Sequence, residues 1–526
     1  MAIGYAGRIQ ALEVPEILKK VLEFTDTGSQ AASARVNRFW NAVALDVLWL
    51  DLEGVVPLLE LIGPLELDSL DHLVFGYKPG LIDWDHFHSY ARRVRHLIWD
   101  DASNITTREG YSGPLSQTMF GDIFADRTRV DPLLPNLTNV KWIMDKHSIS
   151  IQILPFLSSS TTTLDIAFPS QISTNAINVL LYRLPSRAPM VSDLRIYGEI
   201  HVNLVDTALE ACLTGMKELR MVTLPRCFGS SKIVTALGRL DHLARVEVSR
   251  ATISHIDPSS IVYGTKWKIE PGAFTRLQNL AFDATISDAA RLFNCEGVRS
   301  LTLVRLQVVD AFASHEIQSF FSVLSSRCTQ LRAIEVSLIP ILDTVEEALI
   351  FQNLTPLLKC PHLTQLEIDH PKPMLLREQD VECMSQAWPS IQILRFRSGE
   401  ASGNLGTPLS ILSIFAKHFS HRLQELVLTV STKIDSVKRH PISKAFITLE
   451  TLHLDASAIS RKEQMAVAAY LGLICPPGVN ILYGVSRKQK DAMWNWEERE
   501  IWDAIEDGVR ISRELQAQSR ATVESI

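Results

Sequence analysis

No two of the seven cysteines in this 526-residue chain are spaced C-x-x-C, and seven is an odd number. That excludes a zinc ribbon and a closed disulfide framework, and it fits a reduced, intracellular protein. No run of eighteen apolar residues occurs, so no membrane span is expected. The opening MAIGYAGRIQ lacks a secretory h-region and position 2 is not glycine, so neither export nor myristoylation is indicated. Neither sign of charge dominates. Fifty-two Lys and Arg stand against 59 Asp and Glu, a net charge of −7, which gives no general attraction to nucleic acid. Catalytic and phosphate-binding signatures are missing too: there is no G-x-x-x-x-G-K-[ST], no G-x-G-x-x-G, no G-x-S-x-G and no H-E-x-x-H. No cofactor, no metal and no enzymatic activity are therefore expected. What is present is 46% hydrophobic and 21% charged residues, the balance of a chain that buries a large core.

Cysteine, histidine and acid do crowd one stretch, KCPHLTQLEIDH from Lys359 to His370. Its apolar skeleton, Leu363-x-x-Leu366-x-Ile368, is however repeated along the chain. LTNVKW at Leu137, VSDLRI at Val191, LRMVTL at Leu219, LARVEV at Leu243, LQNLAF at Leu277 and VRSLTL at Val298 carry it. So do LRAIEV at Leu331, IQILRF at Ile391, LQELVL at Leu423 and LETLHL at Leu449, with outlying copies VRHLIW at Val94, TTTLDI at Thr161 and VNILYG at Val479. From Val140 to Leu482 the central residues cover 342 positions in twelve steps, a mean of about 28.5. Such triplets alone are weak, since chance places about twenty in a chain this long. Two regularities strengthen them. Helical faces precede them, as with Ile177, Leu180, Leu181 and Leu184 before Val191, or Ile317, Phe320, Phe321 and Leu324 before Leu331. A further apolar residue sits three positions before the triplet, including Leu240, Phe274, Cys295, Cys328, Cys360 and Trp388, with Ala188 and Ser420 as small exceptions. Cys360 is thus expected to be a buried structural thiol, not a ligand.

This pattern resembles the cysteine-containing class of leucine-rich repeats, with Cys295, Cys328, Cys360 and, one residue out of step, Cys475 at the marker position. The resemblance implies an α/β fold: an irregular solenoid over 94–486, parallel strands on its concave face and helices on its convex face. Residues 487–526 read as a helical cap or tail, with Trp494, Ile501, Ile505 and Leu515 at helical intervals.

The amino-terminal forty residues differ. Val14, Ile17, Leu18, Val21 and Leu22 form one helical stripe behind Pro15, and Phe39, Trp40, Val43, Leu45, Leu48 and Trp49 mark a third short helix after a break at Thr27-Gly28-Ser29. A segment this short cannot complete a core alone. The stretches VPEIL, VNRFW and ALDVLW resemble an F-box, here over 10–52, joined by a helical linker over 53–93 to the repeats. Val14 replaces the usual leucine and Asn37 the usual cysteine. The resemblance implies a substrate-recognition subunit of an SCF-type cullin-RING ubiquitin ligase. An SKP-family adaptor, and through it a cullin, would dock on Val14, Pro15, Ile17, Leu18, Val21, Val36, Trp40 and Trp49. A client protein would meet the strand residues that alternate with the core: Arg195, Tyr197, Glu335, Glu367, Asp369, Arg395, Arg397 and His453, where an acidic patch beside a basic one suggests charge selection. The expected setting is cytoplasmic, nuclear or both. The alternative is a repeat scaffold with no ubiquitin role whose first helices only cap the solenoid.

Overall fold

A computed structural model describes residues 12–76, 84–100, 105–107, 110–113, 115–116, 119, 132–144, 150–169, 171–226, 229–249, 266–310, 313–340, 348–398, 407–432, 444–455, 457–484 and 499–511. The chain divides into two compact units, Met1–Leu243 with Val248–Ala251, and Ala244–Glu247 with Thr252–Ile526.

In the first unit three short helices, α1 (Pro15–Glu23), α2 (Thr27–Ser33) and α3 (Arg38–Leu48), precede six strands. These are β1 (Asp51–Glu53), β2 (His96–Asp100), β3 (Asn139–Ile143), β4 (Thr163–Ala167), β5 (Asp193–Tyr197) and β6 (Met221–Leu224), all parallel. Helix α4 (Trp84–Ala91) leads into β2, while α5 (Thr174–Arg187) and α6 (Val202–Gly215) separate the later strands. The register aligns Leu52, Leu97, Val140, Leu164, Leu194 and Val222 in one row, and all six are buried. The ladder therefore starts at β1, one rung before residue 94. The connector holds an antiparallel hairpin, Leu65–Leu67 with Leu73–Phe75, in addition to the helices expected there.

The second unit contributes nine parallel strands: β7 (Arg245–Val248), β8 (Asn279–Ala284), β9 (Leu303–Asp310), β10 (Ala333–Pro340), β11 (Gln365–His370), β12 (Ile393–Ser398), β13 (Glu425–Val427), β14 (Thr451–His453) and β15 (Asn480–Leu482). Helix α7 (Ser231–Gly238) belongs to the first unit, and α8 (Ile286–Phe293), α9 (Ser314–Arg327), α10 (Glu378–Ala387), α11 (Ile411–Phe419) and α12 (Gln464–Ile474) to the second. The faces read from the sequence are the ones buried: Ile317, Phe320, Phe321 and Leu324 on α9 have exposures of 2% or less. One backbone device recurs at the strand entrances. The carbonyl of the residue immediately before most of these strands accepts two successive amides of the next repeat, as Arg332 does from Thr364 and Gln365, and Thr364 from Gln392 and Ile393. Each repeat thus satisfies polar groups of its neighbour, and the parallel, helix-alternating stack is consistent with a leucine-rich-repeat type of fold.

Two triplets seat differently from their sequence reading. In VRSLTL the expected central residue Leu301 lies before β9, and Val304 pairs in register with Leu280 and Ile334, so the seated triplet is Leu301-x-x-Val304-x-Leu306. The marker position then belongs to buried Val298, and Cys295 falls outside the phase although it is also buried. At VNILYG, Ile481 and not Leu482 pairs with Leu452; Ile481 is buried and Leu482 is 41% exposed. That one-residue shift brings Cys475 into phase with Phe446. A slip of one residue exchanges core and surface faces, so the neighbouring strand decides which of two adjacent apolar residues is buried.

Residues 499–511 form a helix that packs through Ile501, Trp502, Ile505 and Val509, with the Trp502 ring stacked on Tyr483 at 5.5 Å. Trp494 and Leu515 lie outside the described residues. Among the described residues no helix is long and apolar enough to cross a membrane.

Candidate functional site

Pro15 opens α1 where its missing N–H is not needed, and Val14 precedes it in extended conformation. The helix is apolar on two sides. Leu18 and Leu22 point inward and close a small core with Val43, Ala44 and Val47, against which Phe39 and Trp40 are partly packed. Val14, Ile17 and Val21 form the second stripe and are 40–46% exposed. Phe24, at 89%, and Val36, at 59%, are further exposed apolar residues of these helices and their turns. The turns are firmly made. Asp26 caps α2 by accepting from the Ser29 amide at 2.9 Å, and the buried Gln30 amide donates to the carbonyls of Leu22 and Thr25.

The eight residues expected to contact an adaptor thus fall into three groups. Val14, Pro15, Ile17, Val21 and Val36 are on the surface; Trp40 is half-buried; Leu18 and Trp49 are interior. Leu18 serves the bundle's own core, and Trp49 packs its ring against Tyr90 of α4 at 4.9 Å. Phe24 is the apolar surface residue that the sequence reading passed over; its spacing from Ile17 and Val21, seven and three residues, carried the signal. Asn37 does not bury an amide. It is exposed and caps α3, its Oδ1 accepting from the Trp40 amide at 2.8 Å. Arg93, just past α4, reaches back to the Asp46 carboxylate and the Ala42 carbonyl, fixing the helices to the start of the ladder.

Within each unit the strand residues expected to meet a client alternate with buried ones, and their charges are already paired across rungs. Arg305 grips Glu335 through two nitrogens. Arg395 donates to Glu367 at 2.8 Å and, through Nε and Nη2, to Glu425 at 2.7 and 2.6 Å; Arg397 also reaches Glu367, at 3.1 Å. The acidic and basic rows are therefore one interlocked network, not two patches, because successive parallel strands place residues about thirty positions apart side by side. Glu335 holds the Arg305 guanidinium above its usual range, and Glu425 and then Glu367 do the same for Arg395.

Arg195 pairs with Asp193 at 2.6 Å and lies 3.6 Å from Asp165 on the next strand. Burial pushes the Asp165 carboxyl and the Tyr197 phenol up. His453 is tied by Nε2 to the Gly484 carbonyl at 2.9 Å, and burial pulls its pKa down. Asp455, which follows β14, is 2% exposed; Oδ2 accepts from the Ser398 amide at 2.6 Å and from Thr429 Oγ1 at 3.4 Å. Burial lifts this carboxyl to about 6.

A scan against protein-family models finds no match, and a search of curated proteins finds none. Solved structures do return similarities. One is with a chain of the crystal structure of the Rad7 and Elc1 complex in yeast, 13% identical, covering 74% of this chain and 89% of that one, with a TM-score of 0.29. Another is with the mouse RP105/MD-1 complex, 10% identical, covering 79% and 85%, with a TM-score of 0.26.

Other clusters of thiol, hydroxyl and imidazole groups along the chain have structural occupations. Cys360 is fully buried and burial raises its thiol to about 11; Cys328 beside it is raised to about 12. In the run Ser158–Thr163, Thr161 Oγ1 donates to the Leu137 carbonyl and Ser158 Oγ to the Pro135 carbonyl, joining a turn to the repeat before it. Within Asp85–His88, Phe87 is buried and His86 lies edge-on to Tyr90 at 5.3 Å. Among the described residues no group of three or more His, Cys, Asp or Glu comes together as a metal site.

Proposed function

We infer that the chain is a non-catalytic substrate receptor of an SCF-type ubiquitin ligase. Its first helices are an F-box that docks on an SKP-family adaptor, and the adaptor joins it to a cullin. The repeats carry the client, and transfer is promoted by holding the client near the conjugating enzyme, a gain in effective concentration. One observation supports this reading above the others. Helix α1 seals its own core with Leu18 and Leu22 and still leaves Val14, Ile17, Val21 and Phe24 uncovered. Full burial of such a side chain is worth about 1.5–3 kcal/mol, and an interface here would gain a part of that from Val14, Ile17 and Val21 and most of it from Phe24.

The scaffold alternative draws on the Arg93–Asp46 and Trp49–Tyr90 contacts, which a simple cap would also make. Co-expression with an SKP-family adaptor separates the two. Wild type is expected to co-purify, and the Ile17→Asp/Val21→Asp variant to lose the adaptor while keeping its melting temperature. Failure of wild type to co-purify, or undiminished binding by the folded variant, overturns the receptor reading. Leu18 is unsuitable for this test because its replacement damages the core.

A further inference from the structure

We propose that the strand-entry rim of the second unit, where the turns lead into β10 to β13, docks an acidic segment of a partner protein, with Arg327, Arg332, Lys359 and Lys417 meeting its carboxylates. This goes beyond the receptor reading and rests on it only for calling that partner a client.

The rim is built by repetition. The carbonyls of Arg332, Thr364, Gln392 and Gln424 each accept two amides of the following repeat, so these residues stand in single file, one per strand. Three strand spacings separate β10 from β13, about 14 Å. Basic residues recur about the marker phase: Arg327 and Lys359 directly before Cys328 and Cys360, and Lys417 and His421 about Ser420. Arg332, Lys359, His362, Lys417 and His421 are exposed, and Arg327 is half-buried.

Two observations point to an anionic partner. The first is charge. Residues 323–333, 355–365, 383–393 and 415–424 make this rim and contain no aspartate or glutamate, in a chain whose acids outnumber its lysines and arginines by 59 to 52. Among the described residues no ion pair engages any of these six basic side chains. Glu425, the first residue of β13, is taken by Arg395. Helix dipoles account for a base in a last turn, as at Arg327 and Lys417. They do not account for Arg332, His362 and His421, which follow the turn.

The second observation is Arg422, two residues past Ser420. Its Nη1 donates to the Pro389 carbonyl at 3.1 Å and its Nη2 to the Ser385 and His418 carbonyls at 3.0 and 3.2 Å. The guanidinium also lies 4.7 Å from the centre of the Phe419 ring. It is fixed between the ends of α10 and α11, yet no carboxylate is among these partners. Its Nε is buried without a hydrogen-bond partner, and burial pulls its pKa down. A cation held in this way is under-compensated and favours an anion brought beside it.

The kind of anion follows from what else the rim offers. A net charge of −7 opposes a nucleic acid, and the rim's rings are closed to bases, since Trp388, Phe419 and Phe446 are 2% exposed or less. Ile447, 56% exposed, is held next to the row by its amide, which donates to the Ser420 carbonyl at 2.9 Å. One isoleucine is too small an anchor for a bilayer. A single apolar contact beside a row of bases fits a peptide of acidic residues with one apolar residue among them.

The test is fluorescence polarisation of the full-length chain with a labelled peptide of aspartates and glutamates around one central leucine, and with its asparagine and glutamine counterpart. The acidic peptide is expected to bind and its amide counterpart to bind about tenfold more weakly, with an affinity for the acidic form that falls as salt rises. Lys359→Glu/Lys417→Glu should weaken the acidic peptide by about tenfold, because two weak attractions become repulsions, and Lys359→Gln/Lys417→Gln by less. Both lysines are exposed, and unchanged melting curves check that the variants are folded. Arg183→Glu/Lys217→Glu, the same change in charge on exposed residues of the first unit, should leave binding unaltered. Equal binding of the acidic and amide peptides overturns the proposal. So does an equal loss in the first-unit variant, or tighter binding of single-stranded DNA or phosphatidylserine vesicles than of the acidic peptide. No adaptor or ubiquitin component enters the assay, so its failure leaves the receptor reading standing, and loss of adaptor binding leaves this surface standing.

Discussion

Replacing Asp455 by asparagine should stabilise this protein at neutral pH. The carboxyl is almost fully enclosed, and burial lifts it from an ordinary 3.8 to about 6 in spite of the Ser398 amide, Arg397 and Thr429, which pull it down. A folded-state value above the unfolded one means that the folded protein binds the proton more tightly. The contribution of Asp455 to stability is therefore most favourable below pH 3.8, falls as the pH rises through the window from 3.8 to about 6, and stays reduced above it. Each pKa unit corresponds to about 1.4 kcal/mol, so the charged form costs the fold about 3 kcal/mol at pH 7.5. Asparagine retains an oxygen for the Ser398 amide and carries no charge. Urea denaturation of wild type and Asp455→Asn at pH 4.5 and 7.5 reads the effect, taken on the transition of the second unit because a chain of this size need not unfold in one step. The variant should gain about 1–3 kcal/mol at pH 7.5 and much less at pH 4.5. A variant that is destabilised at pH 7.5, or one whose gain is the same at both pH values, refutes the account of Asp455 as an under-compensated buried charge.

The two stripes of α1 should separate cleanly in stability measurements. Leu18→Ala is expected to cost about 2–5 kcal/mol, since it empties part of a closed core, whereas Phe24→Ser on the open face should change stability by no more than about 0.5 kcal/mol; equal losses would mean that the outer stripe is also part of the fold. Thiol reactivity should divide likewise. Peptide-resolved alkylation of the native chain should modify exposed Cys383 first, and Cys328 and Cys360 only after unfolding, because burial holds their thiols at about 12 and about 11. Rapid native labelling of Cys360 would contradict its place in the repeat core.

Much of the architecture was legible because it is local. Apolar spacing within one repeat specifies a helical face or a strand face, and Ile317, Phe320, Phe321 and Leu324, or Leu363, Leu366 and Ile368, were identified by spacing alone and are buried. The marker cysteines were legible for the same reason at Cys328 and Cys360. Where two apolar triplets overlapped, as at Val298–Leu306 and Val479–Tyr483, spacing could not choose between them, and the register of the adjoining strands did.

The candidate surfaces divide along the same line. That α1 is apolar beyond the needs of one face was written in its residues. That Leu18 and Trp49 turn inward while Ile17, Val21 and Phe24 stay uncovered depended on α3 and α4 arriving beside them. The charged strand residues were visible one repeat at a time, but their pairing was not. Glu367 meets Arg395 and Arg397 only after parallel strands stack side by side, and Asp455 loses its water only when the ends of β12 and β13 close around it. Composition and period act over a few residues and are carried by the chain itself; desolvation and ion pairing act through space, and only the tertiary structure decides them.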